Sequence, residues 1–382
     1  MKSNWQTKTL GEICDILDSQ RLPITKKDRI AGPYPYYGAS GIIDKVASYL
    51  FDERLLLLGE DGAKWGAGEN SAFIINGKAW VNNHVHILRV ATNILDVWLM
   101  HYLNWIDLSP YISGVTVPKL TQKRMLEIPV PVPPLSEQKR IVGILDAVFG
   151  KIDTVQRKAE RNLANAKELF QRVLDEEMTP KKGWETSELQ NVVDKHCSLS
   201  YGIVQPGDEQ ENGVPVVRPV NLGPRSIGST GLKRIASTIS QSYRRTILTG
   251  EEILLCVRGE TGIVSMATKE LAGCNVTRGI VPILFNSNKI NKKFGYYLMR
   301  SPSVYEQIKK KTTGTALKQI NIGDLRKIPI SYPEIKCQNE IINTLEKVVE
   351  TSESIINNTQ KNIEYSNELK QQILAKAFNG EL

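Results

Sequence analysis

Two kinds of hydrophobic pattern alternate along the chain. In residues 1–135 and 179–335, short apolar and β-branched runs (55–58, 85–90, 252–257 and 280–285) are broken by glycine-rich turns, which predicts strands. Helical patterns over 96–105 and 292–299 are interspersed, so each stretch is expected to be a mixed α/β globule of common domain size. Residues 136–178 and 336–382 follow another period. From Ile141 the positions 141, 145, 148, 152, 155, 159, 162, 166, 169 and 173 alternate steps of 4 and 3, and hold Ile, Leu, Val, Ile, Val, Ala, Asn, Ala, Leu and Val. Adding 200 gives Ile341, Leu345, Val348, Ser352, Ile355, Thr359, Asn362, Ser366, Leu369 and Ile373, the same seam with weaker middle positions. Neither stretch contains proline, so each predicts a continuous helix of about 43 residues, roughly 64 Å long.

The chain repeats itself once. Trp5, Leu10 and Ile13 are echoed by Trp184, Leu189 and Val192 at an offset of 179; Leu56–Leu58 with Gly62 match Ile253–Leu255 with Gly259 at 197. From Gly114 and Gly314 the offset is 200: Ile128-Pro129 matches Ile328-Pro329, Pro133 matches Pro333, Gln138 and Ile141 match Gln338 and Ile341. A helix with one apolar stripe cannot bury it alone, so the two long helices are expected to pair, and a pseudo-twofold repeat makes that pairing antiparallel. The expected architecture is α+β: two mixed α/β domains separated by a two-helix antiparallel coiled coil. The predicted seam residues are Ile141, Leu145, Val148, Ile152, Leu169, Val173, Ile341, Leu345, Val348, Ile355, Leu369 and Ile373. Asn162 and Asn362 fall on the seam, either as buried amides that set register or as amides turned to water. Ser136 suits an N-cap with Glu137 in the first turn, a cap the second copy replaces with Lys336.

Charge is distributed unevenly over this plan. The net charge is +8, yet residues 1–135 carry 14 Lys/Arg against 13 Asp/Glu, 136–178 carry 8 against 8, 179–335 carry 22 against 13, and 336–382 carry 5 against 7. The excess sits in the second domain, which makes a polyanion such as nucleic acid its expected partner. No apolar stretch approaches ~18 residues and the start lacks a signal-peptide core, so a cytoplasmic protein without a membrane span is expected. Cys14, Cys197, Cys256, Cys274 and Cys337 form no C-x-x-C pair and predict reduced thiols.

Catalytic motifs fail in turn. Val132-Pro133-Pro134-Leu135 lacks the amide and the aromatic ring of an amino-methyltransferase loop, and no G-x-x-x-x-G-K-[ST] loop exists. The glycine-rich stretch 59–68 does not fit G-x-G-x-x-G. His84 and His86 have no partnering His/Cys cluster, so no metal site is expected. The strings Glu137-Gln138-Lys139 and Glu368-Leu369-Lys370 lie on the long helices and do not suggest a nuclease carboxylate pair.

What remains is recognition chemistry. In the second domain Arg218, Arg225, Lys233-Arg234, Tyr243-Arg244-Arg245, Arg258 and Arg278 are interleaved with small polar residues, and guanidinium forks grip phosphate or guanine edges. Lys309-Lys310-Lys311 leads into a hydroxyl-rich loop, 312–319, ending in Lys318 and Gln319. The nearly neutral first domain offers Tyr34, Tyr36, Tyr37, Ser40, Lys64, His84 and the loop 113–119 with Thr116 and Lys119. For any single basic residue an ordinary surface charge is the better account than a base contact, while as a set several are expected to contact phosphate; a turn-plus-core role accounts for Tyr-Tyr-Gly equally well.

The repeated Ile-Pro-x-x-x-Pro-x-x-x-x-Gln-x-x-Ile lead-in, the run Pro131 to Val142, the closing Ala377-Phe378-Asn379-Gly380-Glu381-Leu382, Gly38-Ala39-Ser40-Gly41 and Arg258-Gly259-Glu260-Thr261-Gly262 together resemble the specificity subunit of type I restriction-modification systems. The resemblance covers essentially the whole chain. It implies two target recognition domains (1–135 and 179–335), each binding half of a split double-stranded DNA site, joined by spacer helices (136–178 and 336–382). It also implies two methyltransferase subunits docked beside the helices, restriction subunits joining them, and S-adenosylmethionine and ATP held by those partners rather than by this non-catalytic chain. Two departures stand out: the second junction has Lys336-Cys337 before Gln338, and the first helix ends in Asp175-Glu176-Glu177-Met178 where the second has Lys376-Ala377-Phe378. A coiled-coil nucleic-acid-binding scaffold outside restriction-modification, or an enzyme with unfamiliar motifs, is the alternative.

Overall fold

The computed structural model describes residues 5–114, 116–315 and 317–382. The chain divides into two compact units, one running to Arg161 and completed by Asn358–Leu382, the other Asn162–Asn357. The two long helices, Leu135–Met178 and Ile335–Asn379, are each shared between the units. A unit is thus one mixed α/β domain plus the start of one long helix and the end of the other. Among the described residues no helix is long and apolar enough to cross a membrane.

Both domains are built on the same plan. In the first, strands Cys14–Ile16, Val85–Val90, Leu55–Gly59 and Ala72–Ile75 form an antiparallel sheet in that order. In the second, Ile280–Ile283, Ile253–Cys256 and Val264–Ala267 repeat its last three strands. A smaller sheet follows in each, with one parallel pair: Tyr36 opposite Trp80 and Tyr37 opposite Val81, matched by Val216 opposite Asn275 and Val217 opposite Val276. The run Leu55–Leu58 is unbroken by polar residues because both its faces are covered. Leu56 and Leu58 enter the core that receives the helices, while Leu55 and Leu57 enter the core on the other face. Ile253 and Leu255 divide from Leu254 in the same way. Each domain is closed by pairing its first strand with its last, Gln6–Thr9 with Pro129–Val132 and Glu185–Glu188 with Pro329–Tyr332.

The junction between domain and helix is a buried amide clamp. Gln138 is fully buried; its Oε1 accepts from the Leu95 N–H (2.8 Å), and its Nε2 donates to Pro133 O (2.9 Å) and Asn93 O (3.3 Å). Gln338, equally buried, accepts from the Asn291 N–H (2.8 Å) and donates to Pro333 O (2.8 Å) and Lys289 O (2.7 Å). Ser136 is not the N-cap: the helix already begins at Leu135, and the Pro134 carbonyl accepts from Glu137 and Gln138.

The helix ends are domain core. Ile141, Val142 and Leu145 from one helix and Leu374, Ala377 and Phe378 from the other complete the first core. The Phe378 ring lies edge-on to Trp98 (4.7 Å) and Tyr102 (5.2 Å) and stacks on Trp105 (5.2 Å). In the second unit Ile341, Ile342 and Leu345 meet Leu174 and Met178, so the departing sequence at the first helix end still supplies an apolar plug. Within each unit the helical segments run antiparallel. Gln156 donates to Asn367 (2.8 Å) and Lys370 to Asp153 (2.7 Å) in the first, and the Ser352 hydroxyl to Ala166 O (3.4 Å) in the second.

The seam differs from expectation in its middle turns. Ile152, Ala159, Ala166, Ser352, Thr359 and Ser366 are buried, whereas Val155 and Leu369 are 49% and 45% exposed, and Val148, Leu169, Val173, Val348, Ile355 and Ile373 are half-buried. Phe149 and Phe170 turn inward instead, toward His101 (5.5 Å) and Tyr297 (6.4 Å) of their domains. A stripe that serves both a partner helix and a domain face must be wider than a coiled-coil seam, which rotates the predicted line by about one residue. Asn162 and Asn362 are exposed, so the amides turn to water and do not set register.

Replacing Gln138 by Leu leaves the Leu95 N–H and the Pro133 and Asn93 carbonyls without partners. It is expected to destabilise the first unit by about 1–3 kcal/mol, against no more than about 0.5 kcal/mol for Asn362→Leu in the same unit. Five of the six tryptophans lie in the first unit. Urea unfolding followed by tryptophan fluorescence therefore reports it, and an unchanged midpoint for Gln138→Leu refutes the clamp.

Candidate nucleic-acid interface

The same backbone framework presents the candidate residues in each domain. The hairpin Ile112–Ser113 with Lys119–Leu120 is fastened to the large sheet by the Leu120 N–H on Glu60 O (2.8 Å). The hairpin Thr312–Thr313 with Gln319–Ile320 is fastened by the Ile320 N–H on Val257 O (3.0 Å). Gly114 and Gly314 open the hairpin turns with φ of +91° and +102°. A Cβ at either would lie 2.5 or 2.4 Å from the Val117 or Leu317 carbonyl oxygen, so glycine is required. Thr116, Lys318 and Gln319 are exposed on these hairpins, while Val115 and Ala316 of the same loops lie outside the described residues.

In the first domain the charges beneath the hairpin are already paired. Glu60 is buried at the end of its strand, takes an ion pair from Lys119 (2.8 Å) and is bonded by Arg21. Arg21 also donates to Val85 O (2.9 Å). His86 is fully buried between the Asp18 carboxylate (2.5 Å) and Leu120 O (2.7 Å). Burial alone would raise the Glu60 carboxyl, but the hydrogen bonds from Lys119 and Arg21 and the nearby His86 outweigh it and hold the group below its usual range. Asp18, Glu60 and His86 bring three ligand-type atoms within 4.8 Å of one another. With two cationic side chains on Glu60 this is an ion-pair network. His84 is bonded to Asp61 and half exposed.

Several candidates turn out to have structural duties. Tyr36 is 1% exposed, with its hydroxyl accepting from the Ile24 N–H (3.0 Å) and the Arg29 guanidinium over its ring (4.4 Å), so it is core and not a DNA contact. Tyr37 packs on Phe73 (5.8 Å), and burial raises its hydroxyl. Lys119 is engaged with Glu60. Arg225, at φ +80°, is bonded to Glu346 (2.6 Å) and Glu353 (3.3 Å) of the second long helix, where it braces the domain rather than facing a ligand. Arg234 donates to Gly213 O (2.9 Å). Ser40 and Lys64 are exposed, Lys64 facing Glu69 at 4.0 Å.

The remaining candidate arginines of the second domain lie beyond strand ends and on a turn. Arg218, Arg258 and Arg278 follow neighbouring strand ends, where Thr277 N–H donates to Val217 O (2.9 Å) and Val257 N–H to Gly279 O (2.8 Å). Arg244 and Arg245 are exposed on a turn held by a residue the sequence reading passed over. Fully buried Asn275 accepts from the Thr246 hydroxyl (2.7 Å) and donates to Ser240 O (3.2 Å) and Tyr243 O (3.3 Å). Arg21, Asp18 and Glu60 were likewise passed over. A carboxylate directly following the apolar run 55–58 was the available signal for Glu60.

Among the described residues, guanidinium groups without carboxylate partners stand beyond strand ends of a duplicated domain, an arrangement that suits recognition of a polyanion. The type I restriction modification DNA specificity domain matches residues 2–161 and 181–365, and the chain belongs to that family, whose function is DNA sequence recognition. The type I restriction enzyme EcoBI specificity subunit of Escherichia coli is 27% identical over 293 residues; this covers 71% of the present chain and 62% of the relative, under two thirds of its length. The MjaVIII specificity subunit of Methanocaldococcus jannaschii is 22% identical over 412 residues, covering 99% and 93%. Among solved structures, a chain from work on complex assembly and conformational transition of the type I R-M system aligns with TM-score 0.74 at 16% identity, covering 100% and 99%. The HsdS subunit from Thermoanaerobacter tengcongensis aligns with TM-score 0.57 at 17% identity, covering 100% and 98%. Both structural likenesses concern the fold.

The Glu60 network carries a pH signature. Because the folded carboxyl lies below its unfolded value of about 4.3, its stabilisation is complete above that pH and is lost as the pH falls through the folded value. The Glu60→Gln variant is expected to be less stable at pH 7 and to lose less stability between pH 6 and pH 3. Urea midpoints across that range check this, and parallel pH curves for the two proteins refute it.

Proposed function

We propose that this chain is the non-catalytic DNA-reading subunit of a type I restriction-modification complex, in which each domain reads one half of a split double-stranded site. The observation that carries the reading is the duplicated scaffold. The same strand ends and hairpin recur in both domains, yet their side chains differ in charge, as two readers of two different half-sites require. Two methyltransferase subunits and the restriction subunits are the proposed protein partners. S-adenosylmethionine and ATP are proposed to be held by those partners, since adenine methylation and translocation need sites for which this chain offers no motif. The exposed Arg244, Arg245, Lys318 and neighbouring Lys309 and Lys310 supply sequence-independent phosphate grip, which makes binding steeply dependent on salt. Ser40, Lys64, His84 and Thr116 are the exposed groups of the first reader.

Co-expression of the full chain with its methyltransferase subunit, followed by genome-wide mapping of methylated adenine, is expected to yield one split motif. A continuous motif or none overturns the proposal, as does methyl transfer or DNA cleavage by the purified chain alone. If the long helices act as the ruler between half-sites, removing one heptad from the middle of each, ~10 Å of helix, shortens the preferred spacer by about 3 base pairs. An unchanged spacer in the same mapping refutes the ruler.

A further inference from the structure

The two domains can be matched residue by residue at three strand ends. Asn82 N–H donates to Tyr37 O (3.1 Å) as Thr277 N–H does to Val217 O (2.9 Å). Glu60 N–H donates to His84 O (2.9 Å) as Val257 N–H does to Gly279 O (2.8 Å). Leu120 N–H donates to Glu60 O as Ile320 N–H does to Val257 O. Gly38 therefore stands where Arg218 stands, Asp61 where Arg258 stands, and Asn83 where Arg278 stands. The three matched positions carry guanidinium groups in the second domain and none in the first, where Arg21, from elsewhere in the chain, is paired with Glu60.

We infer that Arg218, Arg258 and Arg278 are the guanine-reading residues of the second domain, and that the first domain, with Gly38, Asp61 and Asn83, reads its half-site without them. The inference rests on the proposed reading of the chain as a DNA-recognition subunit. Three observations separate these arginines from ordinary surface charge. Arg21, Arg54, Arg89 and Arg225 all pair with carboxylates. Among the described residues Arg218, Arg258 and Arg278 have no ion pair, and the Nε atoms of Arg218 and Arg258 are buried without a hydrogen-bond partner. A buried, unsatisfied donor on a charged group is costly unless a ligand completes it. Finally, the frame is tight: a Cβ at Gly279 would lie 2.5 Å from the Pro219 ring, so glycine lets the chain bearing Arg278 close against the chain bearing Arg218.

Base reading is favoured over phosphate grip by rigidity. Arg244 and Arg245 are exposed on a surface turn and suit a backbone that presents charge at any sequence. The three arginines are half-buried just beyond strand ends whose neighbouring backbone is hydrogen-bonded, Arg258 bridged to Gln319 and Arg278 in the turn between two strands, which suits a fork that must meet guanine O6 and N7 together.

Lysine variants test this, because lysine keeps the charge and loses the planar fork. The full chain carrying Arg218→Lys, Arg258→Lys or Arg278→Lys, assembled with its methyltransferase subunit, is assayed on duplexes substituted one base pair at a time and by methylated-adenine mapping. Arg244→Lys serves as the phosphate control, and thermal unfolding confirms that each variant is folded. At least one strand-end variant is expected to lose about tenfold or more of its discrimination at a G·C pair of one half-site, with the other half-site unchanged. Unchanged preferences in all three, or a uniform loss across all sequences, overturn the inference while leaving the split-site reading intact. A wild-type complex that shows no split motif sinks that reading itself, and the arginine assignment with it.

Discussion

Where the last strand of each domain gives way to a long helix, the chain must carry backbone donors and acceptors through an apolar core, and a single buried amide satisfies them. Gln138 and Gln338 each accept one N–H and donate to two carbonyls, and so fix the first turn of a long helix against its own domain. The proline-rich approach adds stiffness, since prolines in Pro129–Val132 and Pro329–Tyr332 limit the backbone while the strands still pair with the domain's first strand. Without this joint, the direction in which each helix leaves its domain would be a matter of loop flexibility. Any spacing function of the helices depends on it.

The second organising feature is that each core is completed by two different helices. Ile141 and Leu145 share a core with Phe378, and Ile341 and Leu345 share one with Met178. The outer turns of both long helices are thus domain structure, and only the middle turns are free to be a coiled coil. Small buried residues there, Ala159, Ala166, Ser352, Thr359 and Ser366, suit close helix approach better than the large aliphatic residues of a long autonomous coiled coil. Helix pairing and domain folding are therefore parts of one cooperative structure within each unit.

Charge is handled oppositely in the two domains. Beneath the first hairpin, Glu60 pairs with Arg21 and Lys119 while Asp18 bonds to His86, so the cations at this place are engaged internally. In the second, the equivalent strand ends carry arginines, and among the described residues the buried Nε atoms of Arg218 and Arg258 have no hydrogen-bond partner. A shared scaffold with different surface chemistry is how one fold can recognise unlike sequences.

The repeat, the α+β class, the two long helices and the basic second domain all follow from the sequence, because each is written as a local or periodic property: offsets near 200, 4-and-3 spacing, apolar runs between glycine turns, and charge counted by segment. The arginines were legible as a set for the same reason. Which of them are free was not legible. Arg225 and Arg258 look alike along the chain, but Arg225 faces Glu346 from 121 residues away, whereas among the described residues the buried Nε of Arg258 has no hydrogen-bond partner. Tyr36 became core, Val155 and Leu369 turned outward, and Asn275 became the support of a loop through contacts that no local pattern encodes. Periodicity assigns a residue to a face. Only the packed structure decides what that face meets, because pairing a charge or burying a ring depends on groups brought together from distant parts of the chain.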